Sequence, residues 1–277
     1  MTLWLHIGHG KTGSSALQAG LVRGRGFVYP QTGRSAEGDH NRLFPVDPPI
    51  YGPQMLDRIA AARDEIGGGD GVLSSESLCF AGPAKVAQLA EVFSGADLRI
   101  LYYVRRQEDL VESGFRQHQR GRLRVARDVA KTVEDYLATH GSSFDFLKRI
   151  APWEEVFGRE RVTARLYDRK TCAGDVCADF AAVTGFAVAD TGARANPSLD
   201  VPLTRALMLY REVEPDPERQ MAFRAGLERI VAEIGPSPAR FVDDAMRARI
   251  REMFAESNAT FAARHLDARA AEILTTS

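Results

Sequence analysis

A buried strand that runs straight into a glycine-rich loop and then a helix constrains this chain more than any other feature. Leu3-Trp4-Leu5-His6-Ile7-Gly8 is a short apolar run, followed by His9-Gly10-Lys11-Thr12-Gly13-Ser14-Ser15 and an apolar-periodic helix. Such a turn is a cradle for phosphate. Gly10 and Gly13 let the backbone approach an anion, and the free N–H groups of the helix start point at it. Thr12, Ser14 and Ser15 add hydroxyl donors, and Lys11 adds a point charge. A Walker A loop requires G-x-x-x-x-G-K-[ST], and counting back from Gly10-Lys11-Thr12 puts Leu5 where the first glycine belongs.

A second strand-to-helix junction repeats the arrangement about ninety residues later. Leu98-Arg99-Ile100-Leu101-Tyr102-Tyr103-Val104 is a β-rich run, with Arg105-Arg106-Gln107-Glu108-Asp109-Leu110-Val111-Glu112-Ser113 opening the next helix. An arginine at a strand end and a serine two turns into the following helix suit one phosphate approached from two sides. Taken together, the strand, Lys-Thr-Gly-Ser-Ser and helix resemble the 5′-phosphosulfate loop of sulfotransferases that use 3′-phosphoadenosine 5′-phosphosulfate (PAPS). The second junction is similar to the segment with which that family holds the 3′-phosphate. The resemblance implies that Arg105 and Ser113 take the 3′-phosphate, with Arg106 a rival for the arginine role. It extends over about residues 3 to 200, and it implies PAPS as sulfuryl donor with no metal required.

Strand and helix signals alternate through the first two thirds of the chain, the pattern of an α/β protein with helices on both faces of a mainly parallel sheet. Strands are expected at 3 to 8, 27 to 29, 72 to 76, 98 to 104 and 161 to 167. Helices are expected at 14 to 22, 54 to 66, 83 to about 93, after 104, and 144 to 157 with an interruption near Pro152. Residues 31 to 53 form a long loop, a length usually functional or disordered. The rest, from about Val201, is helical. The expected architecture is therefore a three-layer, P-loop-like α/β fold in one domain spanning 1 to 277, with a cofactor-binding core to about 200 and a helical C-terminal part.

The 277 residues carry 36 basic and 37 acidic side chains, so no global field advertises nucleic acid or an anionic membrane. Cys79, Cys172 and Cys177 are too few and too poorly spaced for a zinc site and read as buried thiols. The N-terminus lacks the charged and apolar regions of a signal peptide, and no segment is long and apolar enough to span a bilayer. A cytoplasmic setting is expected.

Sulfuryl transfer to a hydroxyl needs a group to take the acceptor's proton. His40, in Gly38-Asp39-His40-Asn41-Arg42, lies twenty-nine residues after Lys11, a separation similar to that of the catalytic acid in some carbohydrate sulfotransferases. Glu76 ends a predicted central strand, where other sulfotransferases carry a catalytic histidine. His40 is preferred, because its ordinary pKa suits the task. Arg194, Asn196 and Ser198 lie in a segment that resembles the late Arg-x-Asn-x-Ser-Leu stretch of bacterial sulfotransferases, where a loop closes over the cofactor. The cluster Arg120, Arg122, Arg124, Arg127 and Lys131 suits an anionic glycan and lacks the interleaved aromatics of a single-stranded nucleic-acid site. The expected activity is transfer of a sulfuryl group from PAPS to the hydroxyl of a carbohydrate or other small acceptor. An ATP-dependent P-loop phosphotransferase and a non-catalytic adenosine bisphosphate-binding relative remain as alternatives.

Overall fold

The computed structural model describes residues 2–120, 130–168, 170–172, 175–189, 200–235 and 237–276. They fall into two compact units, each assembled from separate stretches of chain. The first comprises Met1–Arg105, Asp145–Ala195 and Ala255–Ser277, the second Arg106–Phe144 and Asn196–Phe254.

The first unit is built on a four-stranded, all-parallel sheet of β1 (Thr2–His6), β2 (Gly71–Ser74), β3 (Asp97–Val104) and β4 (Val162–Leu166), in the order β2-β1-β3-β4. Parallel strands need crossovers that cover both faces, so the strands read as nearly continuous apolar runs. Trp4, Val72, Leu101 and Tyr103 point to one face. There they pack against Leu17 and Leu21 of α1 (Ser14–Leu21) and Val176, Cys177 and Phe180 of α7 (Val176–Thr184). On the other face, Tyr102 stands edge-on to Phe146 of α6 (Phe146–Phe157) and to Phe261. Two further helices, α2 (Pro53–Ile66) and α3 (Pro83–Val92), both open on a proline, which needs no N–H partner in the first turn. Helices, sheet and helices make the three layers expected.

Three local expectations change. Residues 27 to 29 do not make a strand: Val28 forms an isolated bridge to Gly71, and Pro30, with no N–H, cannot extend it. Helix α6 continues through Pro152 to Phe157. Glu76 lies just beyond β2, at the start of a 3-10 turn over Glu76–Phe80 capped by the Ser75 hydroxyl. The loop from 31 to 52 contains no helix or strand, as expected, yet is well anchored. Glu65 accepts from the amides of Gln31 and Thr32, Lys85 donates to the carbonyls of Pro45 and Val46, and Leu43 and Phe44 are fully buried.

In the second unit every described element is helical. It holds α4 (Gln107–Arg120), α5 (Val133–His140), α8 (Val201–Val213), α9 (Pro217–Ile234) and the first half of α10 (Asp244–His265). Helix α5 buries Val133, Tyr136 and Leu137 along one face and opens on a capping box in which Thr132 and Asp135 satisfy each other's backbone N–H. Leu207, Leu227 and Val231 form a small core between α8 and α9. Helix α4 is braced by charge. Buried Glu108 pairs with Arg247 and Arg251, and Glu112 pairs with Arg116 while accepting from the amides of Phe241 and Val242. The chain closes with α11 (Ala268–Thr276) in the first unit.

Candidate active site

The strand order places the site. The chain passes from β1 to β2 on one side and then returns to β3 on the other, so the sheet has a switch point between β1 and β3. In open α/β sheets ligands bind outside the carboxyl ends of the strands at such a point, which directs attention to the segments that follow β1 and β3. The loop after β1 carries Lys11, and the residue after β3 is Arg105.

The β1 loop is held by its own backbone and one hydroxyl. The His9 amide donates to the Tyr103 carbonyl at 3.0 Å, and the Ile7 amide to the Leu101 carbonyl at 2.9 Å, so the parallel pairing with β3 continues past the end of the strand. Thr12 is fully buried and its hydroxyl donates to the His9 carbonyl at 2.5 Å. That corrects the expectation that Thr12 offers its hydroxyl proton to an anion: the proton is spent on closing the turn, and the residue shapes the loop. Gly13, at φ 83°, is the N-cap of α1 and carries no capping side chain. The amides of Gly13, Ser14 and Ser15 make no hydrogen bond to the described residues, which leaves three donors at the positive end of a helix dipole. Ser14 is buried and Ser15 exposed. Gly10 adopts no conformation that demands glycine, and a Cβ there would meet nothing within 4 Å. A side chain at that position would occupy open space beside the loop. Lys11 is exposed and, at φ 71°, sits in the left-handed region; such strain concentrates at functional loops.

The two arginines separate cleanly. Arg105 is half-buried in the first unit and its guanidinium reaches back to the Lys11 carbonyl at 3.4 Å. Arg106 is committed to Asp109 at 3.0 Å in the second unit. Ser113, on α4, is half-buried, and its hydroxyl makes no hydrogen bond to the described residues. Arg194, Asn196 and Ser198 lie outside the described residues, as do Arg122, Arg124 and Arg127 of the basic cluster. Lys131 is exposed and pairs with Glu212 at 2.9 Å.

His40 and Glu76 lie close together and differ in every property a base requires. His40 is fully buried. Its Nε2 donates to the Pro30 carbonyl at 3.0 Å, its Nδ1 accepts from the Ser74 amide at 3.4 Å, and the Tyr29 ring stands edge-on at 4.7 Å. Burial pushes its pKa down to about 4. With both nitrogens engaged and no exposure, the preferred candidate is a structural rivet. Glu76 is half-buried, and its Oε2 accepts from Asn41 Nδ2 at 3.2 Å. It follows Ser75, whose amide donates to the His6 carbonyl at 2.9 Å, so the backbone at Glu76 leaves β2 beside the end of β1.

A buried polar set behind the loop went unnoticed in the sequence. His6 Nδ1 lies 2.7 Å from Ser74 Oγ, which also accepts from Gln18 Nε2 at 3.1 Å. Histidine and glutamine at inward positions of an apolar strand and helix were the available signal. Burial pushes His6 down to about 3. Both histidines are therefore neutral in the folded protein, whereas the unfolded chain protonates each near pH 6.5. Stability is full above that pH and is lost as pH falls toward 4 for His40 and toward 3 for His6, at up to ~1.4 kcal/mol per pH unit for each. In urea titrations between pH 6 and 4.5, a His40→Gln variant is expected to show a shallower pH slope than the wild type. An unchanged slope would mean that His40 is not held neutral.

Comparison with known proteins bears on the fold. No protein-family model matches the sequence, and no curated protein matches it. Among solved structures, a sulfotransferase from Alicyclobacillus acidocaldarius matches over 98% of this chain and 99% of that one, with a TM-score of 0.52 and 15% identity. At this identity the likeness is one of backbone architecture, and it extends across both compact units. The parallel sheet, the glycine-rich turn after its first strand and this likeness together identify the chain's architecture as a sulfotransferase-family fold.

Proposed function

We propose that the protein is a PAPS-dependent sulfotransferase acting on an acceptor hydroxyl, on a carbohydrate or other small molecule. The observation that carries the reading is the loop after β1: three unbonded amides at a helix start, an exposed lysine beside them, and Arg105 turned toward the same loop from the neighbouring strand. These residues fit an anion with two separated charged groups better than they fit Mg-ATP, because the Walker A glycine is replaced by buried Leu5.

PAPS supplies a sulfuryl group on a phosphate leaving group. The loop amides and Lys11 neutralise the 5′ end and the negative charge that grows on the bridging oxygen as the sulfur–oxygen bond breaks. Arg105 takes the 3′-phosphate, and the role the resemblance gives Ser113, a second donor to that phosphate, belongs to the same proposal. Glu76 accepts the proton of the acceptor hydroxyl as the new oxygen–sulfur bond forms, a role for which its half-buried carboxylate qualifies it over the fully buried His40. Holding donor and acceptor in line is then the remaining contribution of the site.

Calorimetric titration with 3′,5′-adenosine bisphosphate tests the donor site. Wild type is expected to bind it without magnesium, and Arg105→Ala to bind it ~10-fold or more weakly, the loss of one charge-assisted pair. Preference for Mg-ATP, or no bisphosphate binding by wild type, would favour the phosphotransferase alternative, and equal bisphosphate affinity in both proteins would remove Arg105 from the site.

A further inference from the structure

Glu76 is not left to find its own orientation. The segment Asp39-His40-Asn41 lies alongside Ser74-Ser75-Glu76 and is joined to it at successive residues. The His40 amide donates to the Ser74 carbonyl at 2.8 Å, and Ser75 Oγ donates to Asn41 Oδ1 at 2.7 Å. Asn41 itself is clamped from behind. Its amide donates to Asp39 Oδ1 at 2.8 Å, and Asp39 Oδ2 accepts from the Ser35 hydroxyl at 2.5 Å.

The direction of these bonds decides which way the Asn41 side chain faces. Ser75 Oγ accepts from the Ser77 amide at 3.2 Å and turns its proton to Asn41 Oδ1, so Asn41 presents Nδ2 to Glu76. A flipped amide would set a carbonyl oxygen against the carboxylate, oxygen to oxygen. We propose that Asn41 is a positioning residue for the Glu76 carboxylate, fixing its rotamer and donating to its ionised form, with Ser75 and Asp39 setting the orientation of Asn41. The proposal rests on the reading of Glu76 as the base.

Two other titratable groups feel the Glu76 charge directly, Tyr29 and Cys79, and burial drives both well above their ordinary values, so neither titrates in the carboxylate range. Asp39 lies on the far side of Asn41, where its two oxygens take the Asn41 amide and the Ser35 hydroxyl. A carboxylate deprived of its amide donor binds a proton more readily, and one facing a second carboxylate more readily still.

The test follows the side-chain carboxyl carbon of Glu76 by NMR in glutamate-labelled full-length protein, the resonance being the one missing in Glu76→Gln. Its titration midpoint is expected to rise in Asn41→Ala and further in the isosteric Asn41→Asp, with 3′,5′-adenosine bisphosphate affinity close to wild type. Ser75→Ala, which leaves the Asn41–Glu76 contact itself intact, is expected to produce a smaller rise in the same direction. It keeps the question answerable if an Asn41 variant does not fold. Midpoints unchanged in the variants that fold would overturn the positioning role. Sulfuryl transfer surviving in Glu76→Gln would instead remove Glu76 as the base, and with it the catalytic meaning of the contact, whether or not the midpoints move.

Discussion

Glu76→Gln is expected to lower sulfuryl transfer by ~10²- to 10⁴-fold at neutral pH, the range for loss of a positioned general base. Thermal stability and 3′,5′-adenosine bisphosphate affinity should stay near wild type. Glutamine keeps the shape of the side chain and an oxygen to accept from Asn41 Nδ2, so the contact at 3.2 Å can persist while basicity is lost. His40→Gln is expected to behave in the opposite way. It gives up a buried set of bonds to the Pro30 carbonyl and the Ser74 amide, and leaving such groups unsatisfied costs about 1–3 kcal/mol each. Activity per folded molecule should then be largely retained. Transfer of labelled sulfate from PAPS to a panel of sugar and aryl hydroxyls, normalised to the folded fraction, separates the two. A stable His40→Gln protein without activity, next to an active Glu76→Gln, would reverse the assignment.

The second large effect is expected at Gly13. An alanine there would hold a non-glycine residue at φ 83°, which costs about 1–2 kcal/mol. Its Cβ would lie 2.7 Å from Tyr167 Cε2 and 3.2 Å from Val176 Cγ1, overpacking of a kind that costs about 1–3 kcal/mol. Gly13→Ala should therefore be destabilised by roughly 2–5 kcal/mol, a fall in Tm on the order of 10 °C for a domain of this size. Bisphosphate binding should fall with it, because relief of the clash has to move the first turn of α1, where the unbonded amides lie. Gly10→Ala makes the contrast. With nothing within 4 Å of its Cβ it should leave stability near wild type, and any loss of bisphosphate affinity would then report the space the ligand needs. A Gly13→Ala protein as stable as wild type would show that the loop tolerates a different backbone.

The features legible in the amino-acid sequence were those set by neighbours along the chain. Apolar runs at 3 to 8 and 98 to 104 specified parallel strands, because a strand covered on both faces needs apolar residues on both. Gly10 to Ser15 marked the turn, because a close backbone approach to an anion has few local solutions. The α/β layering followed from the alternation of such signals. What the sequence left open was settled by contacts between residues far apart in it. Arg105 and Arg106 are chemically identical neighbours, and what parts them is that Arg105 reaches Lys11, 94 residues away in sequence, while Arg106 pairs locally with Asp109. His40 reads from the sequence as the preferred base until Pro30 and Ser74 close over it, and the partner of Glu76 is thirty-five residues away at Asn41. Burial and hydrogen-bond direction, which decide whether a titratable side chain can work or only hold the fold, depend on the packing of such distant segments. Local composition and spacing therefore determined the architecture and the glycine-rich turn, and tertiary structure alone set the burial and hydrogen bonding that distinguish His40 from Glu76.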